Sequence, residues 1–186
     1  MKGSDLMKIE CIKGDIASQK DITAVVNAAN AQLRTGGGVA GAIHNAAGPG
    51  LYKECREYAP IKPGEAVITG GHELPNSYVI HCLGPVYGRD KPESKLLALC
   101  YERALKLADN KKIDSIAFPA ISTGAFGYPI KEATNIVFLV LEDMITNLNN
   151  IELIRFVLYN KEAVKIYKEK LEKYLKWLYI YTIKNI

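Results

Sequence analysis

An α/β domain with helices on both faces of a largely parallel sheet is predicted by three features of the 186-residue chain. Short β-branched runs alternate with longer segments of helical periodicity, two glycine-bearing loops each follow such a run, and no internal repeat or linker divides the sequence. The length suits one domain able to bury a sizeable core.

The elements follow in order. Residues 1–6 read as a loose leader. Met7 to Lys13 alternates as a strand and Gly14 ends it. Thr23 to Val26, β-branched at three of its four positions, reads as a buried strand that delivers the next loop to one sheet edge. That loop carries Gly36-Gly37-Gly38 and opens into a small-residue helix from Val39 to Ala47. Pro49 and Gly50 start a second helical segment to about Tyr58, stopped by Pro60 and Pro63. Ala66 to Thr69 and Tyr78 to Leu83 are strands separated by Gly70-Gly71 and Pro75-Asn76. Pro92 opens a helix with Leu96, Leu97, Cys100, Tyr101, Ala104, Leu107 and Ala108 on one face. Ser115 to Phe118 is a strand leading into the second loop, Pro119 to Pro129, and a helix then runs to about Ile145. Leu153 to Leu158 is the last strand, followed by a lysine-rich helix to about residue 178. Residues 179–186 form an apolar, β-prone tail, expected to dock on its own sheet or on a second subunit.

Composition excludes several classes. No apolar run is long enough to span a bilayer and the N-terminus lacks a signal-peptide centre, so a soluble cytoplasmic protein is expected. Cys11, Cys55, Cys82 and Cys100 are scattered, with no Cys-x-x-Cys and no Cys/His cluster at zinc spacing; free thiols and no metal are expected. The net charge of +4 is accounted for by residues 161–186, with seven lysines against three glutamates. Their spacing places most lysines opposite an apolar helix face, which argues for a solvated surface and against a nucleic-acid patch.

Three consecutive glycines carry a high conformational cost and imply that something approaches the backbone closely. A helix N-terminus behind them favours an anion. The second loop offers amides from Ser122 to Phe126 with the Ser122 and Thr123 hydroxyls nearby. Neither loop has the P-loop lysine, so a diphosphate held by backbone N–H groups fits better than a triphosphate with magnesium. Gly36, Gly38 and Gly41 satisfy G-x-G-x-x-G. The glycines nevertheless stand too far from the strand, and the later acids Glu54 and Glu57 fall in a helix, which argues against a Rossmann dinucleotide enzyme.

Gly14-Asp15-Ile16, Asn27-Ala28-Ala29-Asn30, Gly36 through Ile43 and Ala120 through Pro129 together resemble the macrodomain family, the ADP-ribose-binding fold. The resemblance covers the chain from about Met7 to the final helix. It implies a three-layer α/β/α sandwich with a cleft for ADP-ribose at one sheet edge. Asp15 would accept the adenine amine beside Ile16, Tyr159 would lie against the adenine, and Asn160 would stand on the adenosine side. Gly36, Gly37, Gly38, Val39 and Ala40, with Ser122, Thr123, Gly124, Ala125 and Phe126, would enclose the diphosphate. Phe126 and Asn30 would fix the distal ribose, while Asn27 reads as a structural anchor and His44 as a packed or capping histidine.

The activity implied is hydrolysis, without cofactor, of ADP-ribosyl esters on acidic side chains or of O-acetyl-ADP-ribose. The alternative is a module that only binds ADP-ribose, free or on mono-ADP-ribosylated proteins. One hydrolase branch of the family has Asp where this chain has Ala40; other branches with Gly-Gly-Gly-Val-Ala-Gly are also hydrolytic.

Overall fold

A computed structural model describes residues 7–184, with side chains described through residue 178. Six strands form one sheet in the order β1-β6-β5-β2-β4-β3, with β1 Lys8–Lys13, β2 Ala24–Ala28, β3 Ala66–Gly70, β4 Tyr78–Cys82, β5 Ser115–Phe118 and β6 Leu153–Leu158. All pairings are parallel except β3 with β4, so the sheet is mixed with one antiparallel edge strand.

Alternation along the strands sorts side chains onto two faces. Val25, Val79, Ala117 and Val157 join Ile43 of α1 (Gly38–Ala47) and Leu51 of α2 (Pro49–Cys55) in one core. On the other face Val26, Ile80, Phe118 and Phe156 pack with Leu97 of α3 (Glu93–Asn110), Phe138 of α4 (Ile130–Met144) and Tyr167 of α5 (Lys161–Lys184). The result is the expected α/β/α sandwich. Stacked and tilted rings of Tyr101, Phe118, Phe156, Phe138 and Tyr167 fill the second core.

Most boundaries fall within a residue or two of expectation. β2 extends two residues beyond Val26 because Asn27 and Ala28 pair with His81 and Cys82 of β4. Asn27 is therefore strand, not loop. The segment after Pro49 stops at Cys55 instead of Tyr58, five residues before Pro60. The helix backbone of α5 continues through Lys184, so residues 179–184 extend the helix and form no strand. Docking of that tail lies outside the described side chains, and the leader outside the described residues. Among the described residues no helix is long and apolar enough to cross a membrane.

Because β1, β6, β5 and β2 run parallel, their carboxyl ends open on one edge. The segments after them, beginning at Gly14, Tyr159, Pro119 and Ala29, converge there, where open α/β sheets place ligands.

Candidate functional site

That edge holds a cavity of about 980 Å³, at the upper end of the roughly 300–1,000 Å³ typical of small-molecule sites. Of the expected residues, Asp15, Ile16, Gly38, Val39, Thr123, Gly124, Tyr159 and Asn160 line it. Lys13, Ala42, Pro119, Ala120, Val157 and Glu162 line it as well and were not singled out from the sequence. Lys13 ends β1 and Val157 is the last residue but one of β6, positions that the strand-end rule alone would have flagged.

The two glycine loops face the cavity with unsatisfied donors. Among the described residues the amides of Gly36 through Ala40 donate to no protein acceptor, and neither do those of Ser122, Gly124, Ala125 and Phe126. Helix α1 begins at Gly38 with no side-chain cap, so its positive end is directed outward. Gly38 has a φ of 56°, a backbone region that glycine enters at no steric cost. A Cβ added at Gly37, Gly38 or Gly124 would meet nothing within 4 Å, so the space before these residues is left open. At Gly41 it would lie 2.5 Å from the Gly36 carbonyl oxygen; there the glycine is needed for the loop to close on the helix.

One end of the cavity is held by Asp15, whose Oδ1 accepts from the Ala17 amide at 2.9 Å and caps a short 3₁₀ turn. Its Oδ2 accepts from the Ser18 hydroxyl at 3.3 Å, leaving acceptor capacity for a ligand amine. The Asp15 carbonyl accepts from buried Gln19 Nε2 at 2.7 Å, and Gln19 Oε1 accepts from Arg155 at 3.1 Å. Arg155 also bonds Glu10 and Asp21, and it holds the Asp21 carboxyl down at about 2. Tyr159 stands at the rim, 90% exposed, a costly placement for an aromatic with no partner and a natural platform for a planar ring. Asn160 Oδ1 accepts from the Ala163 amide at 2.8 Å and so caps α5.

Asn30 and Phe126 line a second cavity of about 350 Å³. The two cavities share the same loops: Thr123 and Gly124 face the first, and Phe126 the second. The Asn30 side chain closes a ring with Arg34, donating to its carbonyl at 2.7 Å and accepting from its amide at 3.1 Å. One donor hydrogen and one lone pair remain, matched to a hydroxyl.

Other expected residues lie apart from both linings. Ala40 is buried in α1 and carries no ionisable group. Gly36, Gly37 and Ala125 contribute backbone alone. Ser122 takes a φ of 65°, unusual for a non-glycine residue, and its buried Oγ has no partner. A Cβ at Gly84 would come within 2.1 Å of that Oγ, so the hydroxyl is turned into the protein, away from the cavity.

Behind the first loop the fold assembles a polar cluster that sequence spacing concealed. His44, Cys55 and His81 are buried, with their potential ligand atoms within 4.8 Å of one another. Asn27 Nδ2 donates to His81 Nδ1 at 3.1 Å, which puts the ring proton on Nε2, facing Thr69 Oγ1 at 2.9 Å. Both ring nitrogens of His81 are thus engaged within the protein, while His44 Nε2 is buried without a partner. Burial lowers the His81 pKa to about 3, pushes that of His44 down and raises the Cys55 thiol to about 11. Asn27 is thus the anchor expected, and His44 the packed histidine.

An α/β/α domain with a cavity at the strand ends, ringed by free amides and an acceptor carboxylate, belongs among the nucleoside-diphosphate-binding folds. The Macro domain family profile matches residues 26–137, and the chain belongs to that family. It is 44% identical to an O-acetyl-ADP-ribose deacetylase of Klebsiella pneumoniae, the match covering 89% of this chain and 97% of the relative. It is also 44% identical to ADP-ribose glycohydrolase MACROD2 of Xenopus laevis, over 94% of this chain and 42% of that protein. A mutant macrodomain of Oceanobacillus iheyensis solved with ADPR superimposes with a TM-score of 0.85 at 40% identity, covering 90% and 94% of the two chains.

Proposed function

We propose that this protein binds ADP-ribose in the strand-end cleft and hydrolyses ADP-ribosyl esters, releasing ADP-ribose and a carboxylate. The observation that carries the reading is the double row of unpartnered loop amides between Asp15 at one end and Asn30 with Phe126 at the other. A diphosphate satisfies those donors, and no cation of the P-loop type is needed. Asp15 accepts the adenine amine, Tyr159 covers the ring, and Asn160, already engaged in its cap, contributes to the adenosine end only through what that bond leaves free. The relatives named for hydrolysis of ADP-ribosyl compounds favour an enzyme over a module that only binds.

The chemistry asked of the protein is positioning and charge stabilisation. Asn30, braced by Arg34, and Phe126 fix the distal ribose, and the loop amides take up phosphate charge. Ala40 supplies no base, so the attacking water's proton passes to an oxygen of the substrate's own phosphate. Turnover of a glutamate-linked ADP-ribosyl protein and of O-acetyl-ADP-ribose is the direct test. Asn30→Ala is expected to abolish release of ADP-ribose while leaving calorimetric affinity for ADP within about threefold. Unchanged turnover by that variant would remove Asn30 from the reaction; absence of ADP-ribose binding by the unaltered protein would refute the whole reading.

A further inference from the structure

Resting on that reading, we infer that Leu33 is a positioning residue for the reaction: a buried leucine in a left-handed backbone conformation that sets the direction of the Asn30 side chain. Among the described residues four non-glycine residues have a positive φ, Leu33, His72, Lys112 and Ser122. His72 and Lys112 are exposed. Leu33 and Ser122 are buried, and each lies in one of the two loops of the cleft. A bulky side chain in that backbone region is sterically disfavoured and persists only where its surroundings over-determine it.

At Leu33 the constraint comes from burial. Its φ is 51°, and its side chain is fully buried in the core that also holds Ala29, Ile43 and Ile61. It lines neither cavity, so it acts on a ligand only through its neighbours. The Leu33 amide donates to the Asn30 carbonyl at 3.0 Å and closes the turn 30–33. A right-handed residue at this position would continue the turn as a helix and point the Arg34 amide at the Asn30 main-chain carbonyl. The left-handed one bends the chain back instead. Arg34 then meets the Asn30 side chain with both its amide, at 3.1 Å, and its carbonyl, at 2.7 Å.

Those two bonds have opposite sense. They fix which end of the Asn30 amide is oxygen and which is nitrogen, and so hold its free hydrogen and lone pair on set sides. The turn is braced from outside as well: the Ile61 amide donates to the Ala31 carbonyl at 2.9 Å. Gly36 passes close over the same side chain, where an added Cβ would lie 3.4 Å from Asn30 Nδ2.

Leu33→Val tests the assignment, because a β-branched side chain resists a positive φ while most of the apolar volume stays. Its turnover of O-acetyl-ADP-ribose is expected to fall at least about tenfold, since a misplacement of ~1 Å can cost about a hundredfold in rate. Calorimetric affinity for ADP should stay within about threefold, because ADP ends before the ribose that Asn30 meets. Leu33→Met, unbranched and close in volume, is expected to bring turnover back to within about threefold of the unaltered protein. In ADP-ribose binding, adding Leu33→Val to Asn30→Ala should cost nothing beyond Asn30→Ala alone, the mark of one residue acting through the other. A further readout needs no variant: in the unaltered protein the two Asn30 side-chain amide protons should give well-separated resonances in slow exchange with water. Turnover that tracks only the folded fraction, equal losses for ADP and ADP-ribose, additive losses in the double variant, or an Asn30 amide that exchanges like a free one would each reduce Leu33 to a core side chain. Failure of the unaltered protein to bind ADP-ribose would instead sink the function on which the assignment rests.

Discussion

The glycines of the two loops answer different demands, and substitution can separate them. Gly124 carries no positive φ, and an added Cβ there meets nothing in the protein, yet the residue faces the large cavity. Gly124→Val is therefore expected to leave stability within about 0.5 kcal/mol and to weaken ADP-ribose at least about tenfold, because its methyls fill space meant for the ligand. Gly41→Ala is the converse. Its Cβ would press on the Gly36 carbonyl at 2.5 Å, so a loss of about 1–3 kcal/mol is expected in urea unfolding, with loop amides displaced. If Gly124→Val destabilised the fold and Gly41→Ala did not, the division between ligand-facing and protein-facing glycines would be wrong.

At the level of elements, the expected strands and helices were legible where burial on both sides leaves an unbroken apolar signature, as at Leu153–Leu158 and Ser115–Phe118. They were not legible where pairing is long-range: Asn27 joins β2 only because β4 lies beside it. The site divides in the same way. Asp15 and the two loops were readable because local turn chemistry and backbone access determine them. The chain Arg155–Gln19–Asp15 was not, since a residue of β6 supports the turn after β1 across more than a hundred intervening positions. That chain makes the proposed adenine end a product of sheet register. Gln19 is buried, its main-chain oxygen accepts from Asn76 Nδ2 at 2.7 Å, and its side chain bridges Arg155 to the Asp15 carbonyl. Gln19→Ala keeps the Asn76 bond but removes the side-chain bridge between Arg155 and the Asp15 carbonyl, and is expected to cost about 1–3 kcal/mol of stability. It should also weaken ADP-ribose more than ribose 5-phosphate, because in the proposed placement only the former reaches the Asp15 turn. Equal losses for both ligands, measured by calorimetry below the melting transition, would show that the turn keeps its position without Gln19.

For the molecule as a whole, the polar cluster between α1, α2 and the β2–β3–β4 side of the sheet predicts how stability depends on pH. His81 is neutral in the folded protein with a pKa of about 3, and His44 is also lowered; in the unfolded chain both return to about 6.5. Between those values the unfolded state binds more protons than the folded one. Stability is therefore complete above about pH 6.5 and falls as the pH drops toward 3, by about 1.4 kcal/mol per pH unit for each histidine that stays neutral. The lowered Asp21 carboxyl acts in the same direction below about pH 4, but it is exposed and its share is screened. The cost has a structural origin: a proton on His81 Nδ1 would face the Asn27 amide donor, and a charged ring there would have no carboxylate partner. Because Asn27 lies three residues before Asn30, the same event would loosen the strand end that carries the loop proposed to hold the distal ribose. Urea unfolding at pH 7.5, 6, 5 and 4 is expected to show a plateau followed by a steady decline below pH 6.5. In parallel, the His81 ring resonances should hold one position from pH 8 to pH 5. A His81 resonance that titrates near 6.5 with no change in the urea midpoint would show that the core accepts the charge, and would refute the neutral, Nε2-protonated ring assigned to it.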